Sequence, residues 1–548
     1  MRSRSVGRGR GVLRSLASIA LGLAGAAGST GCYSDSCADA YLCEVPPPEP
    51  SPCDGHPATA LALDMCGVFV SAHGDDNSPG TKEAPVRTLQ HAIGLAAHGR
   101  GSGQRPTRRV YACGGLFEEE IALPSGVDLW GGRLCDGGDD WSYEGSFGGP
   151  NHPTIIAPPG GIPLRVLGGD DAIIAGDDAT SMISGVRVMA ADASASDGKS
   201  SIAMILSAGA RAIVRESDIL AGDARDGKPG EDALSFRANS GVVGNNGADA
   251  CTADVAPGAL PVVTVCDDGI ESRGGYGGDG GPDTGDDGVS GLPEPVGNPS
   301  NRGLGGSGAS SMPCTPGEDG ANGADAERAA GAAGAGLLDV DGWVGVRGED
   351  GKKGGVGQGG GGGGGGKGRD SMNACPASRS QGGASGGAGG SGGCGGKGGK
   401  GGDYGGASIA ILALQGSAIT VDAGSKVLGG KGGDGGVGGT GQWGGLGFAG
   451  GNGGRALLTG TAPACDGGGG GNGGRGGDAG GGLGGHSLGI GSVGASVAIS
   501  EHATVLPGQA GKGGLGGNAA EESNAGQGEE GIALFWYRFE APASEQPL

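Results

Sequence analysis

Pairs of adjacent aspartates are the residues of this chain whose type and spacing could do chemistry. Asp170-Asp171 and Asp177-Asp178 could supply the two carboxylates that glycoside hydrolysis needs. In turns, the same carboxylates could give calcium its hard oxygen ligands, and further pairs occur at Asp75-Asp76 and Asp286-Asp287. Because aspartate favours turns through bonds to nearby backbone, solvated turns are the favoured interpretation. Calcium is the one cofactor candidate, with Asp170, Asp171, Asp177 and Asp178 as its ligands.

Other motifs of enzymes and metal sites lack the context they need. GxGxxG recurs by chance in a chain with 138 glycines among 548 residues. Gly361–Lys367 resembles a phosphate-binding loop, but Gly368 stands where Ser or Thr would bind magnesium. The 13 cysteines form no CxxC pair and there are 7 histidines, which argues against zinc. We therefore expect no catalytic residues, and no metal beyond the calcium candidates.

The N-terminus predicts export and lipid attachment. Arginines from Arg2 to Arg14 precede an apolar run, Leu16–Gly28, that is too short to span a bilayer. The run leads into Ser29-Thr30-Gly31-Cys32, which resembles the lipobox of bacterial lipoproteins, with Ser29 in place of the usual leucine. We expect a signal peptide over residues 1–31 and a lipid on Cys32 that anchors the chain in the outer membrane or at the cell surface. Ordinary signal cleavage, with Cys32 free or disulfide-bonded, is the alternative.

Charge and cysteine content restrict the partners and the compartment. The chain has 60 acidic and 37 basic residues, so nucleic acid, which demands a positive surface, is not an expected partner. Setting Cys32 aside leaves 12 of the 13 cysteines, an even number suited to disulfides in an oxidising compartment. The sequence does not reveal their pairing. The expected partners are the membrane, through the lipid, and extracellular polysaccharide or other surface proteins.

Changes in composition divide the rest of the chain. We assign residues 32–65 to a Pro/Cys-rich tether, 66–221 to an N-terminal β region, 222–335 to an acidic glycine-rich insertion and 336–548 to strands with Gly-Gly-X insertions. A helix is predicted from about Pro85, and its apolar face comprises Val86, Leu89, Ala92, Ile93 and Ala96. Short apolar runs then continue to Leu220 with single turns between them, as in a sandwich or a solenoid.

Residues Phe69 to Gly132 carry a resemblance that favours the solenoid. Their features, in order, are Phe69-Val70, Pro79-Gly80-Thr81, Ala84–Ile93, Val110-Tyr111, Phe117-Glu118 and Ser125-Gly126-Val127. This order resembles the start of the secreted right-handed parallel β-helix proteins of the pectate-lyase-like superfamily. The resemblance implies an all-β, right-handed parallel β-helix whose N-terminal helix caps the open end. The Gly-His-Gly and Arg-Ile-Lys segments of pectin hydrolases do not occur in this sequence.

An internal repeat independently favours a solenoid. Each unit has a Ser-started apolar strand, a glycine turn, a second strand and a Val/Ile-Leu-x-Gly exit; the units begin at Ser201, Ser408 and Ser487 and exit at Gly222, Gly430 and Gly508. Leu337–Val346 is interpreted as a weaker fourth copy. Ile532–Phe539 is predicted to be the last strand, whose aromatic residues close the far end.

Glycine-rich tracts separate these units. Those around Gly351–Gly406 and Gly429–Gly485 are nearly pure Gly-Gly-X, and period three is that of a polyproline II or polyglycine II helix. Such helices could pack side by side because glycine lets backbones approach each other. The tracts resemble the PGRS regions of mycobacterial surface proteins. Flexible disorder is the alternative.

These features predict a non-enzymatic structural or adhesive lipoprotein of the cell surface. The alternative is a carbohydrate-active β-helix, either a polysaccharide lyase or hydrolase, or a saccharide-binding protein. A row of exposed aromatic side chains would favour saccharide binding, and the candidates are Trp130, Trp141, Tyr143, Trp343 and Trp443.

Overall fold

Parallel strands dominate the computed structural model of this chain. It describes residues 51–101, 105–135, 141–143, 153–169, 179–295, 300–369, 374–456, 461–520 and 523–541. Within these ranges there is one helix, α1 (Leu89–His98). The prediction of an all-β chain is therefore confirmed.

Three parallel sheets contain most of the strands. In spatial order, the first sheet comprises β1 (Val68–Val70), β2 (Arg109–Cys113), β5 (Asp128–Arg133), β8 (Ser181–Ser184), β11 (Arg211–Arg215), β18 (Ala418–Val421) and β21 (Ser496–Ile499). The second comprises β4 (Ile121–Pro124), β7 (Leu164–Leu167), β10 (Ser201–Leu206), β17 (Ser408–Ala413), β20 (Ser487–Ser492) and β23 (Ala533–Arg538). The third comprises β3 (Gly115–Phe117), β6 (Thr154–Ile156), β9 (Val186–Met189), β12 (Asp218–Leu220), β19 (Lys426–Leu428) and β22 (Thr504–Leu506).

From β2 onward the chain visits the first, third and second sheets in that order and then repeats the circuit. Glycine-rich tracts interrupt the circuit after β12, β19 and β22; by "tracts" we mean residues 221–407, 429–486 and 507–532. The first tract also contains two antiparallel hairpins, β13 (Val263–Val265) with β14 (Glu271–Arg273) and β15 (Leu337–Asp339) with β16 (Gly342–Val344).

Apolar side chains stack in register along the inner side of the sheets. In the first sheet the aligned residues are Val110, Leu129, Ile183, Val214 and Val421, all fully buried. Each such side chain contributes about 1.5–3 kcal/mol through its removal from water. The stacked rows form one continuous core that also includes the buried face of α1.

The middle of the second sheet, formed by β10, β17 and β20, is buried on both of its faces. In β10, Met204 and Leu206 join the inner core, whereas Ile202 and Ile205 pack outward against a second cluster that includes Trp343. Every residue of β10, β17 and β20 is buried. This explains why these strands have continuous apolar runs instead of alternating patterns.

The serine repeat corresponds to equivalent positions in the second sheet. Ser201 pairs with Ser408, and Ser408 with Ser487, in adjacent parallel strands. The Ser408 hydroxyl accepts a hydrogen bond from the N–H of Gly430 at 2.8 Å and donates one to the carbonyl of Gly222 at 2.7 Å. Each repeated serine therefore binds the exit glycine of its own unit, and Ser408 and Ser487 also bind that of the preceding unit. The repeat prediction is confirmed.

We expect Ser408→Ala to lower the free energy of unfolding by about 1–3 kcal/mol, because it leaves two partly buried backbone groups, of Gly222 and Gly430, without their partner. Ser417→Ala is the matched control: Ser417 is 1% exposed, against 0% for Ser408, but its hydroxyl has no partner among the described residues. Its removal should change the free energy by less than about 0.5 kcal/mol. Denaturant titration of both variants measures the difference, and equal losses would contradict this role for the repeated serine.

The helix begins later than the sequence predicts. Val86 forms a parallel bridge with Val70 and is therefore extended, and Thr88 is the N-cap, accepting a bond from the N–H of His91 at 3.3 Å. Asp76 fixes this start by accepting bonds from the N–H groups of Arg87 and Thr88. The prediction that the helix begins at about Pro85 was therefore wrong, because the pairing of Val86 with Val70 competes with the first helical turn. All five residues predicted for the apolar face are buried.

Leu337–Val346 is not a fourth repeat. It forms the antiparallel hairpin of β15 and β16, which turns at Val340-Asp341 and enters β16 through Gly342 at a φ of 141°. Trp343 on β16 is 2% exposed and packs edge-on against Tyr404, with ring centroids 5.4 Å apart. The hairpin thus covers the outside of the second sheet and does not extend it. The last strand is confirmed: β23 pairs in parallel with β20 at the sheet edge.

The tracts are joined to one another by backbone hydrogen bonds that recur at every third residue. The N–H groups of Gly227, Gly230 and Ala233 each donate at 2.8 Å to carbonyls of a neighbouring segment, at Asp434, Val437 and Thr440. Successive residues bond in different directions: the N–H groups of Gly360, Gly361 and Gly362 donate to Gly390, Glu318 and Val289. These N–H groups are therefore not free to bind a phosphate, which agrees with the rejection of the phosphate-loop resemblance.

Five disulfides join described cysteines. Cys53–Cys66 and Cys113–Cys135 lie beside the first sheet, whereas Cys251–Cys375, Cys266–Cys394 and Cys314–Cys465 connect separate glycine-rich segments. They suggest an oxidising, extracytoplasmic environment. No helix in the described ranges is long and apolar enough to cross a membrane.

His486, which immediately precedes β20, is a buried histidine whose ring contacts two backbone groups. Its Nδ1 accepts a bond from the N–H of Ile532 at 3.0 Å, and its Nε2 lies 2.8 Å from the carbonyl of Ala335, so the neutral ring fits both partners. Burial lowers the pKa of His486 below 6.5, although the bond to Ala335 raises it in part. The rings of Trp343, Tyr537 and Phe539 surround it.

Because the folded-state pKa of His486 is depressed, its stabilising effect is complete above pH 6.5 and is lost as pH falls through the folded-state pKa. The loss has a maximum slope of about 1.4 kcal/mol per pH unit. We expect His486→Gln, which keeps an acceptor and a donor, to flatten the dependence of stability on pH below 6.5. Thermal melts from neutral to acidic pH measure it; unchanged acid sensitivity in the variant would contradict this role.

Candidate functional site

Most of the sequence-predicted site residues lie outside the described part of the chain. These are Cys32 and the calcium candidates Asp170, Asp171, Asp177 and Asp178. Of the other aspartate pairs, Asp76 holds the start of α1; burial raises its pKa, but bonds from Arg87 and Thr88 outweigh this and keep the pKa below its usual value. Asp287 accepts a bond from the N–H of Gly308 at 2.7 Å. Both carboxylates therefore accept hydrogen bonds from backbone N–H groups.

Acidic side chains of the tracts act as acceptors for backbone N–H groups of the adjacent segment. Four such bonds have lengths of 2.7–2.8 Å, and in each an aspartate Oδ1 accepts from a backbone N–H. The pairs are Asp223 with Lys431, Asp226 with Asp434, Asp232 with Thr440, and Asp249 with Arg455. Asn246 accepts from Asn452 in the same way. The acidity of the tracts is thus partly a means of satisfying the outermost peptide groups, a role that sequence reasoning missed.

The exposed side chains of the later tracts are the third residues of Gly-Gly-X triplets. Along residues 435–446 the glycines are largely enclosed by neighbouring backbone, whereas Val437, Trp443 and Leu446 are 42%, 57% and 43% exposed. Along residues 435–446 the tract therefore displays one side chain per triplet on an outer face, whereas in residues 383–394 the third residues Ser385, Ala388, Ser391 and Cys394 are buried. The period-three pattern itself is the sequence signal that could have identified these positions.

Of the five aromatic candidates, only Trp443 is on the surface. Trp130, Trp141 and Trp343 are at most 4% exposed, and Tyr143 is partly buried with its hydroxyl donating to Glu216 at 2.6 Å. Burial, and then the bond to Glu216, raise the pKa of Tyr143. Of the candidates for a row of exposed aromatic residues, which would favour saccharide binding, one indole therefore remains on the surface.

Trp443 lines a cleft of about 530 Å³ together with Asp232, Leu234, Ser235, Thr440, Arg475 and Asn518. The guanidinium carbons of Arg475 and Arg237 lie 5.3 and 5.7 Å from the centre of its ring, within the range of cation–π attraction. Arg475 is fixed by Asp478, with Nη2 2.6 Å from Oδ1. Arg237 donates to the carbonyl of Gly444 at 2.9 Å. Two guanidinium groups, each fixed by its own hydrogen bond, therefore lie close to the exposed indole.

A second cleft, of about 300 Å³, lies over β4 and β7 and contains Glu120, Arg165 and Asp341. Arg165 donates to the carbonyl of Val340 at 2.8 Å, and its Nη2 lies 4.0 Å from Oδ1 of Asp341. The β15–β16 hairpin thus brings a carboxylate and a guanidinium to the mouth of this cleft. Among the described residues, no group of three or more His, Cys, Asp or Glu side chains could hold a metal ion.

No protein-family model matches this chain, and neither a curated protein nor a solved structure is significantly similar to it.

Proposed function

We propose that this chain is a non-enzymatic structural or adhesive protein of the cell surface. The observation that supports it most strongly is that the tracts are built from main-chain hydrogen bonds, with their glycines enclosed by neighbouring backbone and the third residues of the triplets facing outward along residues 435–446. Such a body is suited to holding a broad surface rigid. Many acidic groups of the tracts, which could otherwise do chemistry, are engaged with backbone N–H groups.

We infer that the three sheets form a right-handed parallel β-helix of the pectate-lyase-like kind. The cyclic order of strands and the in-register rows of apolar residues support this. The helix α1 acts as its cap, since its buried residues join the core beside the edge strand β1. The tracts are polyglycine II helices, as their period-three hydrogen bonding suggests.

The location follows from export and the lipid. The disulfides are compatible with the periplasm or the cell exterior, and an acyl chain on Cys32 anchors the protein in the outer membrane or at the surface. The test is metabolic labelling with a fatty acid in a bacterial host, combined with protease treatment of whole cells. We expect label and surface exposure in the wild type and in Cys37→Ala, and loss of both in Cys32→Ala. An unlabelled, freely released wild-type chain would contradict the proposal.

The cleft over β4 and β7 favours a second candidate, a polysaccharide lyase or hydrolase, because it contains the carboxylates of Glu120 and Asp341 beside Arg165. A panel of acidic polysaccharides separates the two functions. Release of oligosaccharides that is lost in Glu120→Gln would establish the enzyme and refute the non-enzymatic proposal. The absence of release over the whole panel is the expected result.

A further inference from the structure

We propose that the cleft around Trp443 binds a neutral pyranose unit of an extracellular polysaccharide. The inference rests on the proposed adhesive function and names the class of surface to which the protein adheres. It is drawn from the exposure of one indole, the groups that hold it and the charges around it.

The exposure of Trp443 is unusual among the tryptophans of this molecule. Aromatic residues are 3% of the chain, and three of its five tryptophans are at most 4% exposed, whereas Trp443 is 57% exposed. An exposed indole leaves a large apolar surface in contact with water, which is unfavourable in free energy. Tryptophan is also enriched where proteins bind their partners. Its flat face matches the C–H face of a pyranose ring, and its N–H remains able to donate to a hydroxyl.

The indole is oriented before any ligand arrives. The guanidinium carbons of Arg237 and Arg475 lie 5.7 and 5.3 Å from its ring centre, and each guanidinium is fixed by its own partner, Gly444 or Asp478. Asp478 is itself fixed, since its Oδ1 accepts from the N–H of Gly441 at 2.9 Å. A site that is already ordered loses little conformational entropy on binding.

Polar groups suited to sugar hydroxyls surround the ring. Oδ1 of Asp232 accepts hydrogen bonds from the N–H and the hydroxyl of Thr440, at 2.7 and 2.9 Å. The other carboxylate oxygen of Asp232 makes no hydrogen bond to a described residue. Ser235 and Asn518 also line the cleft and can both donate and accept. A volume of about 530 Å³ is within the range of small-ligand sites.

The charges favour a neutral ligand. The cleft is lined by one acid, Asp232, and one base, Arg475, whose charge is balanced by Asp478. The chain as a whole has a net charge of −23, which repels polyanions. An acidic polysaccharide would therefore gain little electrostatic attraction in the cleft around Trp443.

The surroundings indicate a polymer and not a free sugar. A smaller cleft of about 150 Å³ shares Leu234 with the first and contains Phe236 and Gln442. Phe236 is 65% exposed, and its carbonyl accepts a bond from Gln442 at 2.9 Å. Two adjoining clefts on one outer face can contact successive units of a chain.

The test is binding of the full chain to soluble neutral glucans, mannans and galactans and to a polyuronate, measured by calorimetry and by tryptophan fluorescence. We expect binding to at least one neutral polymer, unaffected by 0.5 M salt because no ion pair is involved. Trp443→Ala should weaken that binding at least tenfold, roughly the effect of losing one central aromatic contact.

Tyr276→Ala is the matched control, since Tyr276 is 38% exposed in the first tract with Arg273 4.9 Å from its ring centre, but lies outside this cleft. It should change the affinity less than twofold, and unchanged thermal melts should show that both variants fold. Three results would each overturn the proposal: no binding to any neutral polymer, equal binding by Trp443→Ala, or binding to the polyuronate alone. Fatty-acid labelling and surface exposure test the proposed function separately and do not depend on this cleft.

Discussion

We expect Gly362→Ala to lower the free energy of unfolding by about 3–5 kcal/mol, which is among the largest effects of a single substitution. A methyl group at this position would lie 1.7 Å from the carbonyl oxygen of Tyr276. That carbonyl accepts a bond from the N–H of Val289, and Gly362 itself donates to the carbonyl of Val289. Relief of the clash must therefore separate backbones that are bonded to each other. Denaturant titration measures the loss.

Gly469→Ala is the control for this prediction. A methyl group there meets its nearest atom, Oδ1 of Asp319, at 3.4 Å, an ordinary contact. Because alanine restricts the unfolded chain more than glycine does, this variant should be unchanged or more stable by about 0.4–1 kcal/mol. Equal behaviour of the two variants would show that the tracts do not pack as described.

Removal of the Cys266–Cys394 disulfide, by Cys266→Ala with Cys394→Ala, should lower the free energy of unfolding by about 2–5 kcal/mol. The bond closes a loop with a sequence separation of 128 residues, and a crosslink of that length strongly restricts the unfolded chain. Both cysteines are at most 5% exposed, so the change also opens small cavities. Urea unfolding under non-reducing conditions measures the effect.

The control is the Cys53–Cys66 disulfide, which closes a loop with a separation of 13 residues and restricts the unfolded chain less. By the same chain-entropy argument, its removal costs about 3 kcal/mol, against about 5 for the longer loop. A larger loss from the short loop would contradict the view that the long disulfides hold the glycine-rich segments together.

The sequence predicted those parts of the fold that are local or repeated. The Ser201, Ser408 and Ser487 units were recognisable because each serine must meet a Leu-x-Gly exit, so both ends of the hydrogen bond recur together. The start of α1 was not recognisable, because Val86 forms a bridge with Val70, which lies in an earlier strand. The order of the tracts was also undetermined, because Gly360 and Gly361 look identical in sequence but bond to different segments.

The candidate site was only partly predictable. Trp343 and Trp443 both follow glycine-rich sequence, yet β16 buries the first against Tyr404 and the triplet period exposes the second. The arginine that fixes Trp443, Arg475, is held by Asp478, and nothing local in the sequence shows that this pair lies beside the indole. Tertiary contact alone brings these side chains together.

Amide hydrogen exchange of the tracts tests the central claim, a rigid body made by backbone hydrogen bonds, most directly. The N–H groups of Gly354, Gly357 and Gly360 donate to Gly396, Gly393 and Gly390, each at 2.8–2.9 Å. We predict that amides of residues 354–366 exchange as slowly as those of β10 and β17, because opening any of them requires separation of several segments. Complete exchange of these amides at the rate of an unfolded chain, with β10 and β17 still protected, would contradict the account.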